Sequence, residues 1–311
     1  MKKKLHSIVA PVYNSRDILE TLVIRVSKVM NDAEINFEIV LVDDGSQDGS
    51  FEKIQQLAAL HKFIRGFKLS RNFGHQAALI IGLSKSKGEF MAIIDDDLQD
   101  PPEILPKFFQ NIYEEVDVVY GVRRRRKENI IKRTLYAGFY KLLKFLSHID
   151  IPADAGDFCV MKRCVVDAML QLKEANPFLR GIRSWVGFKQ IGIEYERCLR
   201  HKGESGYTLS KYFNLAITGM LMFSYIPLRI ATYLGILATA VSFLYTIVII
   251  SYWLIHPFNV PGYLSLVVII TFLGGVQLAS IGIIGEYIAR INDNVRSWPI
   301  AVVAESVIGE E

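Results

Sequence analysis

Along the first part of the chain, short apolar runs ending in polar residues alternate with longer stretches whose apolar positions recur at helical spacing. SIVAPVYN (Ser7 to Asn14), FEIVLVDD (Phe37 to Asp44), FIRGFKLS (Phe63 to Ser70), FMAIIDDD (Phe90 to Asp97) and DVVYGVR (Asp117 to Arg123) are nearly continuous apolar runs, the pattern of strands buried on both faces. Between them, Asp17 to Met30, Ser50 to Leu60, His75 to Lys85 and Pro102 to Glu115 carry helical spacing, with Pro102 suited to a first turn and Asp48 or Ser50 to a cap. A βαβ series follows, and with it a mostly parallel, Rossmann-like α/β sheet with right-handed crossovers. Ligands of open α/β sheets sit beyond the carboxyl ends of the strands. The polar tails Tyr13-Asn14, Asp43-Asp44, Ser70-Arg71 and Asp95 to Asp97 all fall there.

The rhythm then changes. From Lys127 to His148, apolar residues including Ile130, Leu135, Phe139, Leu142 and Leu146 recur at helical spacing with aromatics and Lys/Arg interleaved. An interfacial membrane helix explains that pattern, and a domain-packing helix is the alternative. A second amphipathic segment, Thr208 to Tyr225, leads to two runs without Asp, Glu, Lys or Arg, Ile230 to Ile255 and Pro257 to Gly285. Each exceeds the roughly 20 residues that cross a hydrocarbon core. Lys211 and Arg229 precede the first run and Arg290 and Arg296 follow the second, whereas LIHPFNVPGY between them has no Lys or Arg. The positive-inside rule therefore puts both flanks in the cytoplasm. The expected organisation is a catalytic domain at 1–207, containing the interfacial helix at 127–148, a juxtamembrane helix at 208–227, two transmembrane helices at 228–289 and a cytoplasmic tail at 290–311.

Composition agrees with this segregation. A chain of 311 residues with 51% hydrophobic residues is too apolar for an average soluble protein, yet 22% charge is too much for a polytopic one. The basic start MKKKLHSIVAPVYN lacks a long apolar stretch and a small-residue cleavage site, so it does not read as a signal peptide. Three cysteines, Cys159, Cys164 and Cys198, form no CxxC pair and suit a reducing compartment. A net charge of +4 is modest, but RRRRK at Arg123 to Lys127 concentrates it where anionic headgroups or phosphates would be met.

The candidate chemistry lies in the acidic strand ends. Adjacent carboxylates at Asp95 to Asp97 repel unless a cation lies among them. In an extended segment Asp95, Asp97 and Gln99 would face one side and offer oxygen ligands of the kind Mg²⁺ or Mn²⁺ uses while also holding phosphates, with Asp96 pointing away. DDGSQDGS lacks the terminal Glu of an EF-hand calcium loop. GxxxxGK[ST], GxSxG and HExxH are absent. Among the histidines only His75, in RNFGHQAAL, is well placed, either for nucleotide contact or for capping a helix.

PVYN, VDDGSQDGS, LSRNFGHQAAL, DDDLQDPPE, GDF and RHKGESGYTLSKY, followed by two apolar spans, resemble the family 2 glycosyltransferases that charge polyprenyl phosphates. The likeness is greatest to bacterial undecaprenyl-phosphate glucosyltransferases and more distant to dolichol-phosphate mannose synthase. It implies a GT-A fold, membrane-anchored as a homo-oligomer through the transmembrane region, on the cytoplasmic face of a bacterial inner membrane. The reaction implied is inverting transfer of one sugar, glucose first, from a UDP-sugar to undecaprenyl phosphate with Mg²⁺ or Mn²⁺, for modification of a cell-surface glycan. By resemblance Pro11, Tyr13, Asn14, Asp43, Asp44, Ser70, Asp95 and Asp96 hold the nucleotide, and Asp95, Asp97 and Gln99 surround the metal. Arg123, Arg133 and Arg200 meet phosphate, and Asp157 is the carboxylate near the reacting centre, so Asp97, Asp157 and Arg133 carry catalysis. Two departures stand out: three aspartates where mannose synthases often have Asp-Ala-Asp, and GESGY at Gly203 to Tyr207 where they often have GESKY.

Three other readings compete. RGIRSW at Arg180 to Trp185 faintly echoes the QxxRW signature of processive polysaccharide synthases, but the glutamine is missing and two spans leave little for a polymer channel. A nucleic-acid binder would account for RRRRK and for neither the acidic strand ends nor the spans. A non-catalytic membrane scaffold would have no use for Asp95, Asp97 and Gln99 together.

Overall fold

The computed structural model describes residues 4–112, 116–123, 155–172, 174, 177–196, 226–255 and 262–309. The interfacial helix expected at 127–148, most of the juxtamembrane helix at 208–227, and the candidates Arg133 and Arg200 lie outside the described residues, as does the side chain of Arg123.

The five expected strands form: β1 (Leu5–Val12), β2 (Asn36–Asp43), β3 (Ile64–Leu69), β4 (Phe90–Ile93) and β5 (Val118–Arg123). β6 (Ala155–Lys162), β7 (Gln190–Tyr195) and β8 (Val303–Ile308) complete one eight-stranded sheet in the order β7-β5-β6-β4-β1-β2-β3-β8. Pairing is parallel from β4 through β1 and β2 to β3 and between β5 and β7, whereas β6 and β8 run antiparallel to their neighbours. The helices are α1 (Arg16–Asp32), α2 (Ser50–Leu60), α3 (His75–Lys85), α4 (Leu105–Ile112), entered through a 3₁₀ turn at Pro102–Ile104, α5 (Arg163–Leu170) and α6 (Leu179–Trp185).

Two apolar clusters, one on each face of the sheet, hold these layers together. Leu19, Leu22, Val23, Val26 and Met30 of α1 join Ile8, Ile39 and Leu41 on one face, each burial of a large aliphatic side chain contributing about 1.5–3 kcal/mol. Ala78, Leu79 and Leu83 of α3 join Val9, Val40 and Met91 on the other. α3 crosses the sheet closely because Gly82 has no side chain, and a Cβ there would strike Val9. Pro11 is tolerated in this central strand for a geometric reason. Val9 accepts from Ile94 on the β4 side and Val12 accepts from Asp44 on the β2 side, so the missing N–H of Pro11 faces the side where β4 has already ended.

Two long helices follow, α7 (Ile226–Ile255) and α8 (Tyr263–Arg296), packed against one another. Ile236, Phe243, Phe272, Leu278 and Ile288 expose most of their surface with no described residue to cover them. Phe272–Arg296 is long and apolar enough to cross a membrane, and its Ser280 hydroxyl turns back onto the Val276 carbonyl at 2.9 Å. A large exposed apolar surface of this kind marks a site of association with a membrane or with another apolar surface.

The region expected as a tail, 290–311, is not one. α8 continues to Arg296, and the chain then rejoins the eight-stranded sheet as β8. β8 pairs with β3 from Arg65↔Ile308 to Leu69↔Val303, Ala301 enters the α3-side core, and Lys68 meets Glu305 at 3.4 Å. The signal in VVAESVI was only a short alternation next to charged residues, which reads equally well as a solvated end.

Candidate active site

The carboxyl ends of β1, β2, β3 and β4 meet as expected, and the loops there are tied to each other before any ligand is considered. Asn14, at φ 52, donates its N–H to the Ser46 hydroxyl at 2.9 Å and accepts from the Gln47 N–H at 3.1 Å. Asp48 accepts from the Arg16 N–H at 3.1 Å and from the Ser50 N–H at 3.0 Å, so it anchors the starts of both α1 and α2. Gly45, at φ 72, permits the closest approach, since a Cβ there would lie 2.7 Å from the Arg71 backbone.

Asp43 and Asp44 divide the work. Both oxygens of Asp44 are taken by the backbone, accepting from Phe73 at 2.7 Å and Gly74 at 2.9 Å, which fixes the loop after β3. Asp43 accepts from the Ser46 N–H at 3.2 Å through Oδ1, while its buried Oδ2 has no hydrogen-bond partner. Burial pushes both carboxyls above their ordinary value, against the hydrogen bonds they accept. Tyr13 and Ser70 are exposed at the mouth, and Pro11 is buried within β1.

The DDD stretch departs from the extended geometry. β4 ends at Ile93, Asp96 and Asp97 form a turn, and Leu98 takes a left-handed φ of 55. Alternation therefore does not decide the facing of these side chains. Asp96 folds back to accept from the Tyr13 N–H at 3.3 Å, and Asp97 Oδ1 accepts from the Gln99 N–H at 3.1 Å.

Asp95 points inward at a cluster that sequence reading assembled only in part. His75 opens α3 without making a side-chain cap, and its Nε2 lies 3.6 Å from Asp95 Oδ1 and 3.7 Å from Asp157 Oδ2. Burial alone would lower His75, but the hydrogen bond and charge of Asp157, with Asp95 and Asp96, push it up to about 9. Burial, reinforced by Asp100, Asp157 and Asp97 and opposed by His75, pushes Asp95 up to about 7.

Asp157, on β6, is 8% exposed and is gripped by Arg180 of α6, whose Nε reaches Oδ1 at 2.8 Å and whose second nitrogen reaches Oδ2 at 3.1 Å. Gln76 adds a contact to Oδ2 at 3.4 Å. Burial would raise this carboxyl; Arg180, ahead of His75, outweighs it and holds Asp157 well below the usual carboxylate range. Gln76 and Arg180 are the residues that sequence reading missed. Gln76 stood next to His75 in GHQAAL, and Arg180 stood in RGIRSW, weighed there only as a polymerase echo. In that motif Arg183 is buried to 2% over the Tyr120 ring and Trp185 is exposed, so the two do not present one surface.

Among the described residues, no group of three or more His, Cys, Asp or Glu converges on a metal position. The donor set nevertheless fits a hard divalent cation that takes most of its ligands from diphosphate and water, as Mg²⁺ does. Asp95 Oδ1 is buried and accepts no hydrogen bond, and its neighbours Asp97 and Gln99 offer oxygen rather than sulfur.

Family comparison agrees with this geometry. Residues 7–170 match the model for Glycosyl transferase family 2, and residues 226–291 match the GtrB C-terminal hairpin. The chain belongs to glycosyl transferase family 2. It is thus an enzyme of the glycosyltransferase class with a GT-A-like α/β sheet and a C-terminal apolar hairpin. Among its relatives is the uncharacterized glycosyltransferase YkcC of Bacillus subtilis (strain 168), 41% identical over 97% of this chain and 94% of that one. The SfII prophage-derived bactoprenol glucosyl transferase of Shigella flexneri is 38% identical over 96% of this chain and 97% of its own length. A crystal structure of glucosyl-3-phosphoglycerate synthase from Mycobacterium tuberculosis, in complex with Mn²⁺, uridine-diphosphate and phosphoglyceric acid, matches 70% of this chain and 76% of that one with a TM-score of 0.47 and 16% identity.

Proposed function

We propose that this family 2 glycosyltransferase moves one glucose, with inversion, from UDP-glucose to undecaprenyl phosphate at the cytoplasmic face of a bacterial inner membrane. The observation that carries the reading is the union of two features in one chain: a carboxylate-lined site at the strand ends, and an apolar hairpin bracketed on both sides by segments of the same sheet. A soluble acceptor needs no such hairpin, and a membrane scaffold needs no such site. Similarity to a bactoprenol glucosyl transferase over nearly the full length of both chains supports the acceptor and the sugar.

In this mechanism the Asp43 end of β2 receives the nucleoside, and the loop pinned by Asp44 shapes the floor beside it. Asp95, Asp97 and Gln99 would hold Mg²⁺ or Mn²⁺, which supplies charge neutralisation for the departing diphosphate. His75 presents a cation between Asp95 and Asp157, offsetting repulsion among the buried carboxylates. An acceptor phosphate oxygen attacks the anomeric carbon as the bond to the diphosphate oxygen breaks. The phosphate arrives ionised near neutral pH, so a strong general base is not required. Arg123, Arg133 and Arg200 are proposed to receive that phosphate, since Arg binds phosphate through two parallel hydrogen bonds.

The test is to incubate the purified full-length chain in lipid nanodiscs with a panel of nucleotide sugars, Mg²⁺ or Mn²⁺, and undecaprenyl phosphate. Glucosyl transfer from UDP-glucose to the lipid is the expected product. Transfer only to a growing polysaccharide, or none to lipid phosphate from any donor, would overturn the reading.

A further inference from the structure

Asp157 sits where a proton acceptor would be sought, but its surroundings suit a different task. One oxygen faces the Arg180 Nε at 2.8 Å, and the other is shared by the second Arg180 nitrogen, Gln76 at 3.4 Å and His75 at 3.7 Å. Gln76 is also held from its other end, because its side-chain oxygen accepts from the Leu179 N–H at 2.9 Å. The start of α6 is thereby stitched to the start of α3, with the Asp157 carboxylate between them. His75, the residue before Gln76, then spans from that carboxylate to Asp95.

We propose that Arg180 and Gln76 are positioning residues that anchor Asp157 and, through it, aim His75 at Asp95, so that Asp157 takes no proton during sugar transfer. A carboxylate used as a base must offer a free lone pair to the incoming nucleophile, whereas here the guanidinium fork engages both oxygens and Gln76 and His75 crowd Oδ2 as well. Nothing in the reaction then lacks a proton acceptor. The phosphate oxygen forms the bond to the anomeric carbon with its own electron pair, the glycosidic bond to the diphosphate breaks, and charge passes from one phosphate to the other.

The inference rests on transfer to a phosphate acceptor, as proposed above, and the experiment separates the two. Wild type, Arg180→Ala, Arg180→Lys, Asp157→Asn and the double variant Arg180→Ala/Asp157→Asn are assayed full-length in nanodiscs with UDP-glucose and undecaprenyl phosphate. Misaiming a catalytic constellation costs on the order of a hundredfold, so Arg180→Ala should lose about that much kcat with the KM for UDP-glucose little changed. Arg180→Lys, which keeps charge but not the fork, should recover part of the loss. The double variant should be no slower than Asp157→Asn alone, because Arg180 acts through Asp157. Multiplied losses in the double variant, or a UDP-glucose KM that moves as far as kcat, would overturn the proposal. Melting the same proteins gives a second cycle that needs no turnover: coupled residues lose less together than the sum of their separate losses, and additive losses count against the anchor. Absence of lipid transfer by wild type would sink the acceptor assignment alone, leaving the anchor to the melting cycle.

Discussion

The backbone N–H of Ser70 donates to the carbonyl of Val302 at 2.9 Å, joining the loop at the carboxyl end of β3 to the segment that follows the apolar hairpin. Ser70 begins the stretch that Asp44 pins at Phe73 and Gly74, and Ala301 is buried in the same apolar cluster as Phe67, Leu69 and Ala77. The C-terminal strand thus backs the side of the site proposed to take the donor, although nearly the whole sequence separates it from β1.

Ala301→Asp should test this support. An unpaired carboxylate in that core should cost on the order of 2 kcal/mol or more. UDP affinity should fall along with the melting temperature, because the Ser70 to Gly74 loop loses its backing. Calorimetric UDP titration beside thermal melts checks it, and lowered stability with unaltered UDP affinity would mean that β8 merely covers an edge.

The same strand constrains membrane topology. The chain leaves the domain into α7 and returns to the same sheet after α8, so the intervening segment makes an even number of crossings. If the site faces cytoplasmic nucleotide sugar, as proposed above, residues 256–261 are expected outside. After the exposed Cys164 is replaced by Ser, a cysteine at Asn259 should react with an impermeant thiol reagent in intact cells, whereas one at Ser297, just past α8, should not. Labelling of the second and not the first reverses the orientation.

What could be read from sequence, and what could not, follows from the range of the interactions. β1 to β5 and α1 to α3 announce themselves because each buries a periodic apolar face against its nearest neighbours in the chain. Strands β6 and β8 are harder: AGDFCVMK mixes small, charged and apolar residues, and VAESVI lies on an edge with most of its side chains in water. Strand-end acids could be recognised by position alone. Their division of labour could not, because Asp44 and Asp96 are occupied by backbone N–H groups from remote loops and Arg180 reaches Asp157 only through tertiary packing.

Asp97→Asn should abolish transfer with the fold intact, since the side chain lies in a surface turn rather than in the core. Chelator should silence the wild type and added Mg²⁺ or Mn²⁺ restore it. Circular dichroism of the variant guards against unfolding, and full turnover by purified wild type without divalent ion would remove the metal from the mechanism.

At the opposite end of the sheet, His6 is 2% exposed, stacked on Phe90 at 5.1 Å, with Nδ1 3.1 Å from the Asn36 carbonyl. Burial lowers its pKa from 6.5, against the backbone hydrogen bonds of Asn36 and Lys4. A histidine depressed in the folded state is protonated first in the unfolded chain, so its contribution is complete above the unfolded value and declines as pH falls through it. Melting temperature of His6→Gln should therefore fall less than that of wild type between about pH 7.5 and 5. Comparing the two proteins cancels the carboxylates that titrate in the same range, and parallel curves would show that His6 does not contribute.

The last expectation separates donor from acceptor. Asp44 is a poor probe of nucleotide binding, because removing it would also release the Phe73 and Gly74 N–H groups. Asp43 is a better one: its Oδ2 is buried and without a hydrogen-bond partner at the end of β2, so it can meet a donor group of the nucleotide at no cost to an existing bond. Asp43→Asn keeps the shape and removes the charge. Arg133, in the basic amphipathic segment, is the matching probe of the lipid phosphate. A charge-assisted hydrogen bond contributes about 1.5–3 kcal/mol, or roughly ten- to a hundredfold in affinity. Asp43→Asn should weaken UDP binding by that factor and leave the undecaprenyl phosphate requirement nearly unchanged, while Arg133→Ala should do the reverse. Calorimetry with UDP and acceptor titrations on both variants decide it. If Arg133→Ala weakened UDP binding as much as acceptor use, the basic segment would belong to the donor site, and the lipid phosphate would have to be received elsewhere.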